Sequence, residues 1–108
     1  MSCINCCIFT GRLVKEPDFR TTTTDKSVCN FSIAVESGWG DNKKTFYPDL
    51  VAWNGQADFV STLSKGTMVA VYAKFNQREY EDKQGVKRKA VEFVVEEIQA
   101  MEPKRNGG

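Results

Sequence analysis

Residues 45–80 read TFYPDLVAWNGQADFVSTLSKGTMVAVYAKFNQREY, and three periodicities follow one another within them. The first part alternates, with Phe46, Leu50 and Ala52 on one face and Tyr47, Val51 and Trp53 on the other. Alternation of this kind predicts a half-buried strand. The middle changes to helical spacing: Asn54 is placed to cap a start, Ala57, Val60 and Leu63 share a face, and Gly66 can close the end. The last part alternates again. Val69, Val71, Ala73 and Phe75 form the face expected in the core, and Tyr72, Lys74, Asn76, Arg78 and Tyr80 form the opposite one. Strand, short helix, strand is the reading.

Working outward, NCCIFTGRL alternates Cys7 and Phe9 against Ile8 and Thr10 before breaking at Gly11, and SVCNFSIAVES puts Cys29, Phe31, Ile33 and Val35 on one side. Downstream, VKRKAVEFVVEEI supplies a last strand. The connections carry their own signals: KEPDFRTTTTDK reads as a polar loop, GWGDNKK as a turn, and EDKQG as a short hairpin loop with Gly85 free to take a positive φ. The order is therefore three strands, a helix and two strands. That layout predicts an all-β protein: an OB-fold, a five-stranded Greek-key barrel with one short helix between strands 3 and 4.

The 108 residues suit one domain with a modest core, expected to span residues 1–102 and to leave residues 103–108 as a short disordered tail. No apolar run is long enough to cross a bilayer, and the first residues lack a secretory pattern, so a soluble, cytoplasmic, membrane-free protein is expected. The formal net charge of +1 names no partner by itself. Its distribution does: from Lys74 to Lys89 there are six cations against three acids, while VEFVVEEIQAME carries only acids. A local polyanion site fits that asymmetry.

The absence of histidine removes the usual base for serine or cysteine nucleophiles, so no catalytic residues and no cofactor are expected. Cys3, Cys6, Cys7 and Cys29 offer one C-x-x-C spacing but no second ligand pair, and ordinary intracellular thiols are expected rather than a metal site. Cys7 and Cys29 fall on core-facing strand positions, where cysteine serves as a small hydrophobe.

The aromatics carry the functional argument. Strand 4 interleaves Tyr72 and Tyr80 with Lys74 and Arg78, and strand 3 turns Tyr47 and Trp53 away from Leu50 and Ala52. Rings exposed on two strands are costly unless something covers them. Cations for phosphates and flat rings for bases are what an unpaired nucleic-acid strand requires. Trp39 stands in the turn that feeds the same sheet; the structural alternative for it is a lid over one end of the barrel.

Three segments, IFTGRLVKEPDFR with VCNFSIAVESGW, LVAWNGQADFVSTLSKGTMVAVYAKFNQREYED, and VEFVVEEIQAME, make the chain similar to bacterial-type single-stranded DNA-binding proteins over about Asn5 to Glu102. The carrying motifs are G-R-L-x-x-x-P-x-x-R from Gly11 to Arg20, Val-Ala-Trp ending at Trp53, and K-G-x-x-V-x-V after the helix. The resemblance implies an OB-fold, usually a homotetramer with a dimer as the smaller alternative, that wraps single-stranded DNA during replication, recombination and repair. It implies base stacking by Trp39, Tyr47, Trp53 and Tyr80, and phosphate contacts by Lys43, Lys65, Lys74 and Arg78. It also implies that Cys6 and Ile8 on the first strand face a partner subunit. The family's long linker and acidic tip are not matched by EPKRNGG, so docking of replication enzymes is not expected. That ending is read as a trimmed tail or as a version carried by a phage or mobile element in a bacterial cell. Two other readings stay open on residues alone: a protein–protein interaction module using the same aromatic face, of the kind found in primosome accessory factors, and a thiol-based protein using Cys3, Cys6 and Cys7.

Overall fold

A computed structural model describes residues 3–101. The strands are β1 (Cys7–Leu13), β2 (Asp18–Thr21), β3 (Ser27–Ser37), β4 (Lys44–Phe46), β5 (Asp49–Trp53), β6 (Met68–Glu81) and β7 (Lys87–Ala100), with one helix, α1 (Gly55–Ser61), between β5 and β6. Five of them close a ring in the order β1–β6–β7–β5–β3 and back to β1. The closing pairs are Arg12 with Ala34 and Leu13 with Ile33. All ladders are antiparallel except β5 with β7, which run parallel through Leu50–Phe93 and Val51–Val94. This ring is the expected five-stranded OB barrel, and residues 102–108 lie outside the described residues.

The core follows from the alternation. Leu13, Cys29, Ile33, Leu50, Ala52, Val69, Val71 and Ala73 are 0–2% exposed, and each large apolar side chain removed from water contributes roughly 1.5–3 kcal/mol. Phe9 meets Phe93 edge to face at 5.2 Å. Helix α1 plugs one end by burying Ala57 and Val60 against β3 and β5. At Arg12, which pairs with both Met68 and Ala34, β1 passes from β6 to β3, and a side chain on the preceding Gly11 would collide with the Ala34 carbonyl. Among the described residues no polar or charged side chain is buried, so packing alone specifies the interior.

Four expectations are corrected. The loop KEPDFRTTTTDK contains a strand: β2 pairs Asp18–Thr21 with Asn30–Ser27, using backbone bonds that a polar sequence satisfies as well as an apolar one. The single third strand is two, because Tyr47 and Pro48 interrupt it, and Pro48 has no N–H to give a ladder. Phe46, expected in the core, is 55% exposed, since β4 pairs only with β3, off the path of the barrel. Asn54 does occupy the position before α1, but at φ 55° and without a side-chain cap bond. Its N–H is spent on the Ser27 carbonyl (2.8 Å) and its carbonyl receives the Asp58 N–H (3.0 Å).

Candidate nucleic-acid interface

A β-bulge divides β6–β7 into two unlike halves. Tyr72 pairs with Glu97 and Ala73 with Val95, leaving Glu96 as the extra residue. Before the bulge β6 alternates buried and exposed positions; after it every residue from Lys74 to Glu81 is exposed. The far half is thus a two-stranded arm that projects from the barrel. Phe75, expected on the core side, is 42% exposed and rests its edge on Phe93 at 6.0 Å, because no second layer reaches it.

The arm's tip is tied by Asp82. Its carboxylate accepts the Gln84 N–H (2.9 Å) and the Val86 N–H (3.0 Å) through Oδ1 and the Arg88 Nε–H (3.0 Å) through Oδ2. The Val86 amide, then Arg88, hold the Asp82 carboxyl below the usual carboxylate range. Gly85 completes the turn at φ 78°, as its spacing predicted. The second projecting element is the β3–β4 hairpin, with Gly38 and Gly40 at φ 93° and 50° around Trp39. That ring is 88% exposed, so the lid reading fails.

Register decides which candidate residues share a face. Directly paired residues point to the same side of a sheet. Asn30 pairs with Val51, Val51 with Val94, and Val94 with Lys74. One row therefore crosses the outer face from β3 to β6. Trp53 follows Val51 by two residues on that face, and Asn76, Arg78 and Tyr80 follow Lys74 at the same interval. Counting three residues back from Leu50–Phe93 brings Tyr47 level with Ala90, the partner of Arg78. Trp53 on β5 and Lys74, Arg78 and Tyr80 on β6 thus lie along one side of the sheet, with β7 between the two strands and Tyr47 level with the arm.

A groove of about 300 Å³ crosses this face, between Lys15 and Asp18 on one bank and Arg78 and Glu92 on the other, over Asn30 and Val51. Of the candidate residues Arg78 lines it; the rings of Tyr47, Trp53 and Tyr80, outside that lining, are 62%, 41% and 43% exposed. Arg78 lies over the Tyr80 ring, its guanidinium carbon 5.6 Å from the centroid. Trp39 and Lys43 stand apart, on the β3–β4 hairpin. Lys65 is also separate, in the segment after α1, where its backbone N–H reaches Glu16 Oε1 at 3.3 Å. The face also presents what sequence reading passed over, Lys15 and Asp18 on the bank; Phe19 on β2, paired with the buried Cys29, is 42% exposed on the other side of the sheet. The one signal of β2 was the F-x-T alternation of Phe19 and Thr21 inside a stretch dominated by threonine and charge.

The cysteines divide. Cys3, Cys6 and Cys7 are free thiols, the first two exposed, and Cys29 is buried. Burial, then the Asp18 charge, push the Cys29 thiol up to about 11. Among the described residues no group of three His, Cys, Asp or Glu side chains is placed to hold a metal ion.

A closed OB barrel, with accessible rings and cations on its outer face, defines a binding protein of the oligonucleotide-recognising class. The sequence profile of the single-strand binding protein family matches residues 4–101. The chain is 34% identical over 113 residues to single-stranded DNA-binding protein 1 of Staphylococcus aureus (strain COL), covering 97% of this chain and 67% of that protein. It is 31% identical over 109 residues to single-stranded DNA-binding protein A of Bacillus subtilis (strain 168), covering 97% and 63%. Listeria monocytogenes single-stranded DNA-binding protein 2 is 33% identical over 107 residues, covering 95% and 67%. The chain belongs to the single-strand binding protein family, and it spans about two thirds of the length of these curated relatives.

Proposed function

We propose that the chain binds single-stranded DNA without reading its sequence, and holds it open and protected in replication, recombination and repair. The observation that carries this is the set of exposed rings and cations on the outer face: Trp53 on β5 and Lys74, Arg78 and Tyr80 on β6 share one side of the sheet, Arg78 lines the groove, and Tyr47 is level with the arm. Stacking a base on each ring contributes roughly 1–3 kcal/mol with little dependence on the base. Trp39 would take a further base from the β3–β4 hairpin. Lys43, Lys65, Lys74 and Arg78 would meet phosphates along a path longer than the groove.

The assembly proposed is a homo-oligomer, with a tetramer as the expected form. Its support is the free edge of β1. Among the described residues that strand pairs over Cys7–Gly11 with β6 alone, and Ile8 on it and Ile4 before it are 72% and 96% exposed. An unpaired edge carrying apolar side chains is a template for a second strand. The bacterial cytoplasm, at the nucleoid, is the proposed location. None of the helices among the described residues is long and apolar enough to cross a membrane.

The test is fluorescence anisotropy of a labelled oligo-dT against a labelled duplex, across a salt series. The expected result is tight binding to oligo-dT and little to duplex. The log–log salt dependence should be about −0.7 per phosphate met. Equal affinity for both, or none for either, contradicts the proposal.

A further inference from the structure

Three of the four cations proposed for the DNA backbone already face a carboxylate of the same chain. Lys43 Nζ lies 2.9 Å from Glu36 Oε2, Lys74 Nζ 3.5 Å from Glu96 Oε1, and Arg78 Nε 3.8 Å from Glu92 Oε2. Glu92 is the most constrained of the three acids, with its side chain 25% exposed against 61% for Glu36 and 43% for Glu96. It pairs across the ladder with Asn76, and its Oε1 accepts the Asn76 Nδ2–H at 3.1 Å. It also lines the groove beside Arg78. Asn76 and Arg78 on β6 are therefore both turned toward one carboxylate, and Tyr80 lies under the guanidinium.

We propose that Glu92 is an affinity-setting residue of this interface, a built-in competitor that phosphate must displace from Arg78. This rests on the single-stranded DNA reading above. A phosphate that draws Arg78 away breaks the ion pair, yet Glu92 cannot retreat with its charge, because the β7 ladder and the Asn76 amide hold it in the groove wall. The negative charge then stays beside the phosphate and repels it. The chain thus forgoes affinity at this contact, and Glu36 does the same to Lys43 on the other hairpin. The consequence is a strand that is held but released readily.

The experiment compares wild type with Glu92→Gln, a change that keeps the shape and the acceptor for Asn76 but removes the charge. Oligo-dT anisotropy is measured at several salt concentrations, with circular dichroism to establish that each variant is folded. Binding should tighten about two- to fivefold, the range of an accessible ion pair. The log–log salt slope should become steeper, by up to about 0.7 as Arg78 meets its phosphate fully. The gain should vanish in an Arg78→Gln background, and Glu97→Gln, an equal charge change on β7, should give none. Glu36→Gln supplies an independent copy of the comparison at Lys43, with a gain of the same sign. Unchanged or weaker binding by folded Glu92→Gln overturns the inference, and so does a gain that persists without Arg78. A wild type that binds oligo-dT but is indifferent to Glu92→Gln sinks this inference alone, whereas a wild type that ignores oligo-dT sinks the function as well.

Discussion

The two halves of β6 are one continuous strand with opposite physical lives. From Met68 to Ala73 its alternate residues are sealed inside the ring, with Val69, Val71 and Ala73 at 0–1% exposure. From Lys74 to Glu81 both faces are wet, and the strand is held by its ladder with β7 and by the Asp82 turn. The bulge at Glu96 is the boundary between them. The difference teaches how the chain separates stability from recognition. Apolar burial fixes the barrel, so the arm can carry rings and charges that contribute little to folding and remain free for a ligand.

That separation can be broken at its strong end first. Leu13→Ala removes a side chain 1% exposed at the barrel closure and should cost about 2–5 kcal/mol of stability. Urea denaturation reads it directly, and a cost under about 1 kcal/mol would mean that the closure is not the core of the fold. In Tyr80→Ala the balance should reverse. Stability should move by about 0.5 kcal/mol or less, as for an accessible site, while oligo-dT binding weakens by roughly 1–3 kcal/mol. If the stability loss matches the binding loss, the arm is structural and the comparison fails.

The smallest effects lie at opposite ends of the pH scale. The Cys29 thiol is raised from 9.0 to about 11 in the folded barrel. Its contribution is therefore fully present below the unfolded value and lost as pH rises from about 9 to about 11. Chemical denaturation across that window should show the fall, and Cys29→Ala should flatten it. Asp82 is lowered in the folded arm, so its contribution is present above the ordinary aspartate value and lost as pH falls through the lowered one. Amide exchange at Gln84 and Val86 should quicken there without any change in the barrel amides. Uniform quickening throughout would show that arm and barrel open as one unit.

Most of the barrel was legible because alternation reports which residues share a face. It does not report whether anything covers that face. Phe46 and Phe75 have core-like spacing, yet they lie where no second layer exists. β2 was hidden because its pairing with β3 is made by the backbone, to which threonine and charge are indifferent. Pro48, with no N–H to give a ladder, lies at the break between β4 and β5. For the site, the rings of Trp39, Trp53 and Tyr80 are exposed where the turn and the alternation put them, while Tyr47 is exposed in the break between β4 and β5 rather than on a strand. Of the acids beside Lys74 and Arg78, Glu96 was not legible because it is the bulged residue itself, which spacing along the chain does not encode; Glu92 lies in the unbroken register set from the Glu81–Lys87 pair and comes to Asn76 and Arg78 only once β6 and β7 are paired.

The central claim is that these indoles are held in water in order to be covered by bases. Its most direct test is the emission of the two single-tryptophan variants, Trp39→Phe and Trp53→Phe, titrated with oligo-dT at low salt. Each remaining indole should be quenched as the strand binds and should recover when salt releases it. Emission unaltered in both variants, while anisotropy shows the strand bound, would contradict the account.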